Sequence, residues 1–221
     1  MALWQYTSVP EPAELERRMK VLAGLDIILC EEDWLRVHRY DPEWTKGAAL
    51  GTVDNGAGDQ LHVIFAEAGT LIRGFDHESP LSPHAREEYG LWPGMYDGLP
   101  AALRSCMEAG EWDEEETTFC LWRLPEASLW ETGLLRELDS LENEADAAGG
   151  ASFLLGFLAE TPEIYADWAQ TYFDEAERPI PLEAVARIYA GEAVTEALIK
   201  ELNPQRDSAE ALEELQRIGF V

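Results

Sequence analysis

Two short polar segments hold the side chains of this chain best suited to chemistry. The first is Asp54-Asn55-Gly56-Ala57-Gly58-Asp59 and the second is Asp76-His77-Glu78. Carboxylates and an imidazole can together hold a divalent ion or an activated water. Asp54, Asp59, His77 and Glu78 supply that mixed oxygen and nitrogen set at one end of a predicted sheet. Neither segment completes a signature. A calcium loop needs oxygen ligands at alternate positions and a distal bidentate glutamate, and the first segment has only part of this. The second begins like HExxH, yet Leu81 stands where the second histidine belongs and Pro80 breaks the helix that motif requires. The alternative to chemistry is a turn, in which Asn-Gly favours a hairpin and Asp and Asn bond to nearby amides.

A third segment suggests recognition instead. Trp112, Asp113, Glu114, Glu115 and Glu116 follow Glu111, placing an indole inside a block of negative charge. One reading is a solvated loop. The other is a docking patch whose carboxylates pair with Lys or Arg while the Trp anchors the contact. His62 falls within a strand pattern, where a hydrogen-bonded sheet histidine is expected, and His84 follows Pro83 in a loop with no evident task. Trp92, Trp112, Trp122 and Trp130 either line a groove or fill a core. No nucleophile elbow, P-loop, dinucleotide fingerprint or kinase motif is present, so neither a cofactor nor a catalytic residue is expected.

Charge narrows the partners. The chain has 44 acidic and 16 basic side chains, a formal net charge of -28. Nucleic acid and anionic membranes are disfavoured, because binding them relies on Lys and Arg. The negative field either serves solubility as a solvated acidic surface or steers a cationic partner such as a basic protein. Cys30, Cys106 and Cys120 are odd in number and widely spaced, which predicts free thiols in a reducing compartment and neither disulfides nor a zinc site. The first residues lack a basic stretch followed by an apolar one, and no apolar run approaches a membrane span, so a cytoplasmic location is expected.

The elements that must position these residues fall into two regions. Leu15, Met19 and Leu22 mark an amphipathic helix over 8–25. The apolar run 25–30 and the alternating 34–40 suit one or two strands, or a strand and a turn. Residues 49–53, 61–66 and 70–75 read as strands joined by Asn55-Gly56 and by Glu67-Ala68-Gly69, with Leu61, Val63 and Phe65 opposite His62, Ile64 and Ala66. Residues 101–109 read as a short helix and 117–124 as a further strand. Helices are predicted over 134–148, 152–158, 162–173, 181–189, 193–202 and 208–218, with Thr161 and Ser208 as caps and Gly191 and Gly219 as stops. The predicted class is α+β: an antiparallel sheet within residues 1–148 and a helical region over 149–221, either separate or packed on the sheet as one domain. Apolar helix stripes serve internal packing and self-association alike, leaving a homo-oligomer open.

Gly58 and Asp59, the strand 61–66, Gly69 and His77-Glu78 form an order of strand, Gly-Asp, strand, Gly turn, strand and His-Glu. This order resembles the central part of SUKH-superfamily proteins, many of which are bacterial immunity proteins acting against toxins. The resemblance implies a non-enzymatic inhibitor of a basic protein partner. The alternative is a metal-dependent or small-molecule hydrolase, with its site near Asp54, Asp59, His77 and Glu78.

Overall fold

The computed structural model describes residues 9–138, 141, 143, 147–173 and 178–221. Its first helix, α1 (Pro12–Leu29), carries Pro12 in the opening turn, where the missing N–H is not needed. It also takes in the run at 25–29 expected to be extended. The reason is tertiary. The Ile27 carbonyl accepts from Arg206 Nε at 3.1 Å, and those of Ile28 and Leu29 from Asn203 Nδ2 at 3.3 and 3.1 Å. Just beyond, Arg36 donates to the carbonyls of Cys30 and Glu31 at 2.9 and 3.0 Å. Side chains remote in sequence thus satisfy the orphan carbonyls of a buried helix end. Glu214 receives both Arg36 and Arg206, so the two buried cations share one neutralising carboxylate.

The sheet is antiparallel, with six strands in sequence order: β1 (His38–Thr45), β2 (Ala48–Asp54), β3 (Gln60–Ala66), β4 (Gly69–Phe75), β5 (Phe119–Arg123) and β6 (Glu131–Thr132). The turn between β3 and β4 is two residues, Glu67-Ala68, and Gly69 follows at φ 137°. A Cβ at Gly69 would stand 2.5 Å from the Arg123 carbonyl oxygen, so the close approach of β5 requires glycine. Alternation sorts the faces as expected. Val53, Leu61, Val63, Ile72 and Leu121 pack against α1 and Leu154, while Ile64, Leu71, Cys120 and Trp122 face the other way. The connection 76–118, with α2 (Ala101–Met107), covers that second face through Leu81, Trp92, Met95, Leu103 and Met107.

Among the described residues five helices follow: α3 (Ala151–Gly156), α4 (Pro162–Tyr172), α5 (Leu182–Tyr189), α6 (Glu196–Leu202) and α7 (Ser208–Arg217). α3 joins the sheet-side core through Ala151 and Leu154, whereas α4 to α7 pack on the side of α1 away from the sheet, placing Tyr165, Val185, Ile188, Leu198 and Leu215 against Leu22, Leu25 and Ile28. Thr161 and Thr195 cap α4 and α6 by accepting from the amides of Ile164 and Leu198. At α7 the cap is Asp207, which accepts from the Ala209 and Glu210 amides, and not Ser208, which is already helical. Gly191 and Gly219 stop their helices at positive φ. The helix predicted over 134–148 does not form at its start. Arg136 N donates to the Pro93 carbonyl at 3.0 Å and the Arg136 carbonyl accepts from Trp92 Nε1 at 2.8 Å, drawing the segment out along the loop beside it. Residues 139, 140, 142 and 144–146 of that prediction lie outside the described residues, as does Ser8 at the start of the first helix prediction.

One buried carboxylate ties the three layers together. Asp26 accepts from four donors: Val37 N at 3.0 Å, His38 N at 2.8 Å, His38 Nδ1 at 3.1 Å and Tyr165 Oη at 2.8 Å. His38 Nε2 lies 2.8 Å from the Phe157 carbonyl oxygen, so both ring nitrogens face oxygen atoms of neighbouring layers. Among the described residues, no helix is long and apolar enough to cross a membrane.

Candidate functional site

At the end of β3 and β4 the predicted quartet divides. Asp59 and His77 meet, with Asp59 Oδ1 accepting from His77 Nδ1 at 2.7 Å and from the His77 amide at 3.0 Å, while Asp59 Oδ2 accepts from Asn55 Nδ2 at 2.7 Å. Asp54 does not join them. Its Oδ1 accepts from Gly56 N at 2.9 Å, closing the turn that Asn55-Gly56 announced. Glu78 is 86% exposed and stands 4.0 Å from His77 Nε2. The residue that does approach is Asp76, which with Asp59 and His77 brings ligand-type atoms within 4.8 Å of one another.

Electrostatics describe a latch at this end. Burial alone would raise the Asp59 pKa, but the bonds from His77 and Asn55 outweigh it and hold the carboxyl below its ordinary range. His77 is raised by its bond to Asp59. Asp76 is pushed up, by burial first and also by the charge of Asp59. The acceptor positions of Asp59 are therefore used to fasten the start of the 76–118 connection to the β2–β3 loop.

The second candidate region forms a groove of about 670 Å³ on the sheet face opposite α1. It is built from the end of β1, the middle of β3 and the acidic loop ahead of β5. His62 and Arg73 lie directly opposite each other on β3 and β4, both turned to this face. Arg73 is 1% exposed and has no carboxylate partner among the described residues. Its Nε donates to Thr117 Oγ1 at 2.8 Å, its Nη1 to His62 Nδ1 at 3.2 Å and its Nη2 to the Glu116 carbonyl at 2.5 Å, with the Asp113 carbonyl also accepting from Nη2. Tyr96 Oη supports the same loop, donating to the Glu114 carbonyl at 2.9 Å and lying 2.7 Å from Thr117 Oγ1. Five donors in a planar fork suit Arg to gather several carbonyls that no strand pairs. The loop is thereby held by its backbone, and its side chains are released outward.

Trp112, Asp113 and Glu116 line the groove together with Glu111 and Trp44. The Trp44 and Trp112 rings stack with centroids 5.6 Å apart and planes inclined by 21°. His62 packs on Trp112 at 4.5 Å, and Arg73 lies 5.5 Å from the same indole. Asp113 Oδ2 accepts from Tyr89 Oη at 2.8 Å, and Glu116 Oε1 lies 3.0 Å from His84 Nε2, which gives His84 a task the sequence did not suggest. The backbone bond from Glu115 N, then the Tyr89 bond, lower the Asp113 pKa and keep it ionised. Two members of the acidic run stand outside the groove: Glu114 turns to Arg104, and Glu115 is exposed beyond the lining. Of the four tryptophans considered together, Trp92 and Trp122 are core and Trp130 is half-buried, its Nε1 bonded to the Pro10 carbonyl at 3.2 Å.

Trp44, His62 and Arg73 were not picked out as a site by sequence. A signal for two of them existed. Counting back from the Glu67-Ala68 turn places His62 opposite Arg73, a cross-strand polar pair in otherwise apolar strands. A further cavity of about 330 Å³ lies between β1 and α7, where Arg36 is paired with Glu214 and Arg39 stands near Asp33. Comparison with protein-family models, with curated protein sequences and with solved structures found no match.

Proposed function

We propose that this chain is a non-enzymatic acidic binding protein that holds a basic segment of a protein partner in the groove at Trp44 and Trp112. The observation that carries this reading is the meeting of a stacked indole pair with Glu111, Asp113 and Glu116 on a loop whose backbone is clamped by Arg73. Indole faces and carboxylates are the chemistry that recognises a guanidinium or ammonium group. A clamped loop also loses less entropy on association than a free one. The net charge of -28 draws cationic partners to the surface. An immunity-type inhibitor of a basic toxin, the role implied by the SUKH resemblance, is the specific form we favour. Its place is a reducing cytoplasm, in keeping with the free thiols of Cys30, Cys106 and Cys120. The hydrolase alternative has weaker support, because Asp54 and Glu78 stand apart from Asp59 and His77.

The test uses a fluorescent arginine-rich peptide read by anisotropy. A chain this acidic attracts any polycation, so the comparison must hold charge constant. Glu111→Gln, Asp113→Asn and Glu116→Gln together should weaken binding by about tenfold or more, judged from the strength of charge-assisted contacts. Neutralising the exposed Glu183, Glu196 and Glu213 on the helical layer removes the same number of charges and should change it far less. Equal losses in the two triple variants would show that the groove has no special part.

A further inference from the structure

The floor of the groove asks for something its rim does not. His62 is 7% exposed and lines the groove. A guanidinium only donates, so the contact of Arg73 Nη1 with His62 Nδ1 fixes Nδ1 as the acceptor and places the ring proton on Nε2. That Nε2–H has no partner among the described residues. Burial first, and then the charge of Arg73, drive the His62 pKa down to about 3, so the ring stays neutral and keeps this donor through the whole neutral range. The site therefore combines one neutral donor at its base with three carboxylates at its rim. A ligand satisfying both must carry an uncharged acceptor oxygen a short reach from a cation. An anionic acceptor is excluded by the rim carboxylates.

We infer that the groove reads an arginine within an extended segment of the partner, the peptide carbonyl accepting from His62 Nε2–H while the guanidinium lies against the indoles and is held by Glu111, Asp113 and Glu116. The inference rests on the binding role proposed above and names its chemistry. Arginine is favoured over lysine because a planar guanidinium both stacks on an indole and donates in a fork to carboxylates, whereas an ammonium does neither as well. His62 is then a specificity-determining residue that positions the backbone of the bound segment.

The test pits two probes of equal charge against each other by NMR titration: N-acetylarginine N-methylamide, which has the carbonyl, and n-butylguanidinium, which lacks it. The wild-type protein should prefer the amide by about three- to tenfold, the range of one net hydrogen bond. The nitrogen resonance of His62 Nε2 should move with the amide probe alone. His62→Phe keeps a ring beside Trp112 without the donor and should bring the ratio of the two affinities to one, and His62→Gln, whose amide can still donate, should restore part of it. If His62→Phe instead loses both probes because Arg73 has lost an acceptor, the Nε2 signal of the wild-type protein decides. Equal affinities with an unmoved Nε2 signal overturn the carbonyl contact, and equal binding of N-acetyllysine N-methylamide overturns the choice of arginine. Failure of every cationic probe to bind the wild-type protein strikes the underlying binding role.

Discussion

The two faces of the sheet each bury a cationic group, and they treat it in opposite ways. On the α1 side, Arg36 and Arg206 converge on Glu214, so each buried guanidinium meets a carboxylate, and the His38 ring likewise bonds to Asp26. On the groove side, Arg73 meets carbonyls, a hydroxyl and a neutral imidazole, while the carboxylates of the adjoining loop remain outside. The first arrangement closes on itself and joins layers. The second keeps its carboxylates at the surface, bonded to side chains of the same face such as Tyr89, His84 and Arg104 or, for Glu111, open to the groove. Two networks built from the same residue types thus differ in where the counter-charge is placed.

The sharpest way to break that contrast is to remove Asp26. Asp26→Ala orphans four donors and leaves His38 without its carboxylate, so a loss of about 3–5 kcal/mol is expected in urea unfolding. A loss below that for the Arg73 variant would reverse the ranking. Arg73→Met leaves the carbonyls of Asp113 and Glu116 without this donor and should cost about 2–3 kcal/mol. Its damage should be local, with faster amide exchange over residues 113–118, unchanged exchange in α1, and weaker binding of the arginine-rich peptide. Exchange rising equally in α1 would show that the two networks are one.

Titration sharpens the comparison further. His62 has a folded pKa near 3 against an ordinary 6.5, so between those values the unfolded chain holds a proton at this site that the native protein does not. Stability should therefore fall as pH drops through this window, with a slope approaching about 1.4 kcal/mol per pH unit from this one group. His62→Gln should flatten the profile there, and parallel profiles would contradict the assignment of a neutral buried ring. The smallest effect is expected at the Asp59–His77 latch. His77 is raised, so its contribution is complete below its ordinary 6.5 and fades as pH climbs through the folded value. Asp59 is lowered, so its contribution is complete above its ordinary 3.8 and is lost as pH falls through the folded value. The stability difference between the wild-type protein and Asp59→Asn should be largest between those two values and shrink on either side.

What could be read from sequence was what local physics decides. The strands β2, β3 and β4 follow from alternation at 61–66 and from the punctuation of Asn55-Gly56 and Gly69, all within a few residues of the elements they define. The last turn of α1 could not be read this way, because its carbonyls are satisfied by Asn203 and Arg206. The same division holds at the sites. The acidic loop announces itself by charge and by Trp112, yet only the folded backbone determines that Asp113 and Glu116 face the groove while Glu114 turns to Arg104. That Asp54 and Glu78 stand apart from Asp59 and His77 could not be read, because nearness in sequence says nothing of side-chain direction. A short turn bond takes one, and solvent the other.

The stopper at the end of α1 also orders events during synthesis. Arg206 lies 179 residues after the carbonyl of Ile27 that it covers. Until the ribosome has delivered that late segment, the emerging hairpins can pair with one another while the first helix keeps a raw terminus and an exposed apolar flank. Its maturation therefore waits for that segment, and a nascent chain arrested before Arg206 should engage holdase chaperones that one extended well past it ignores.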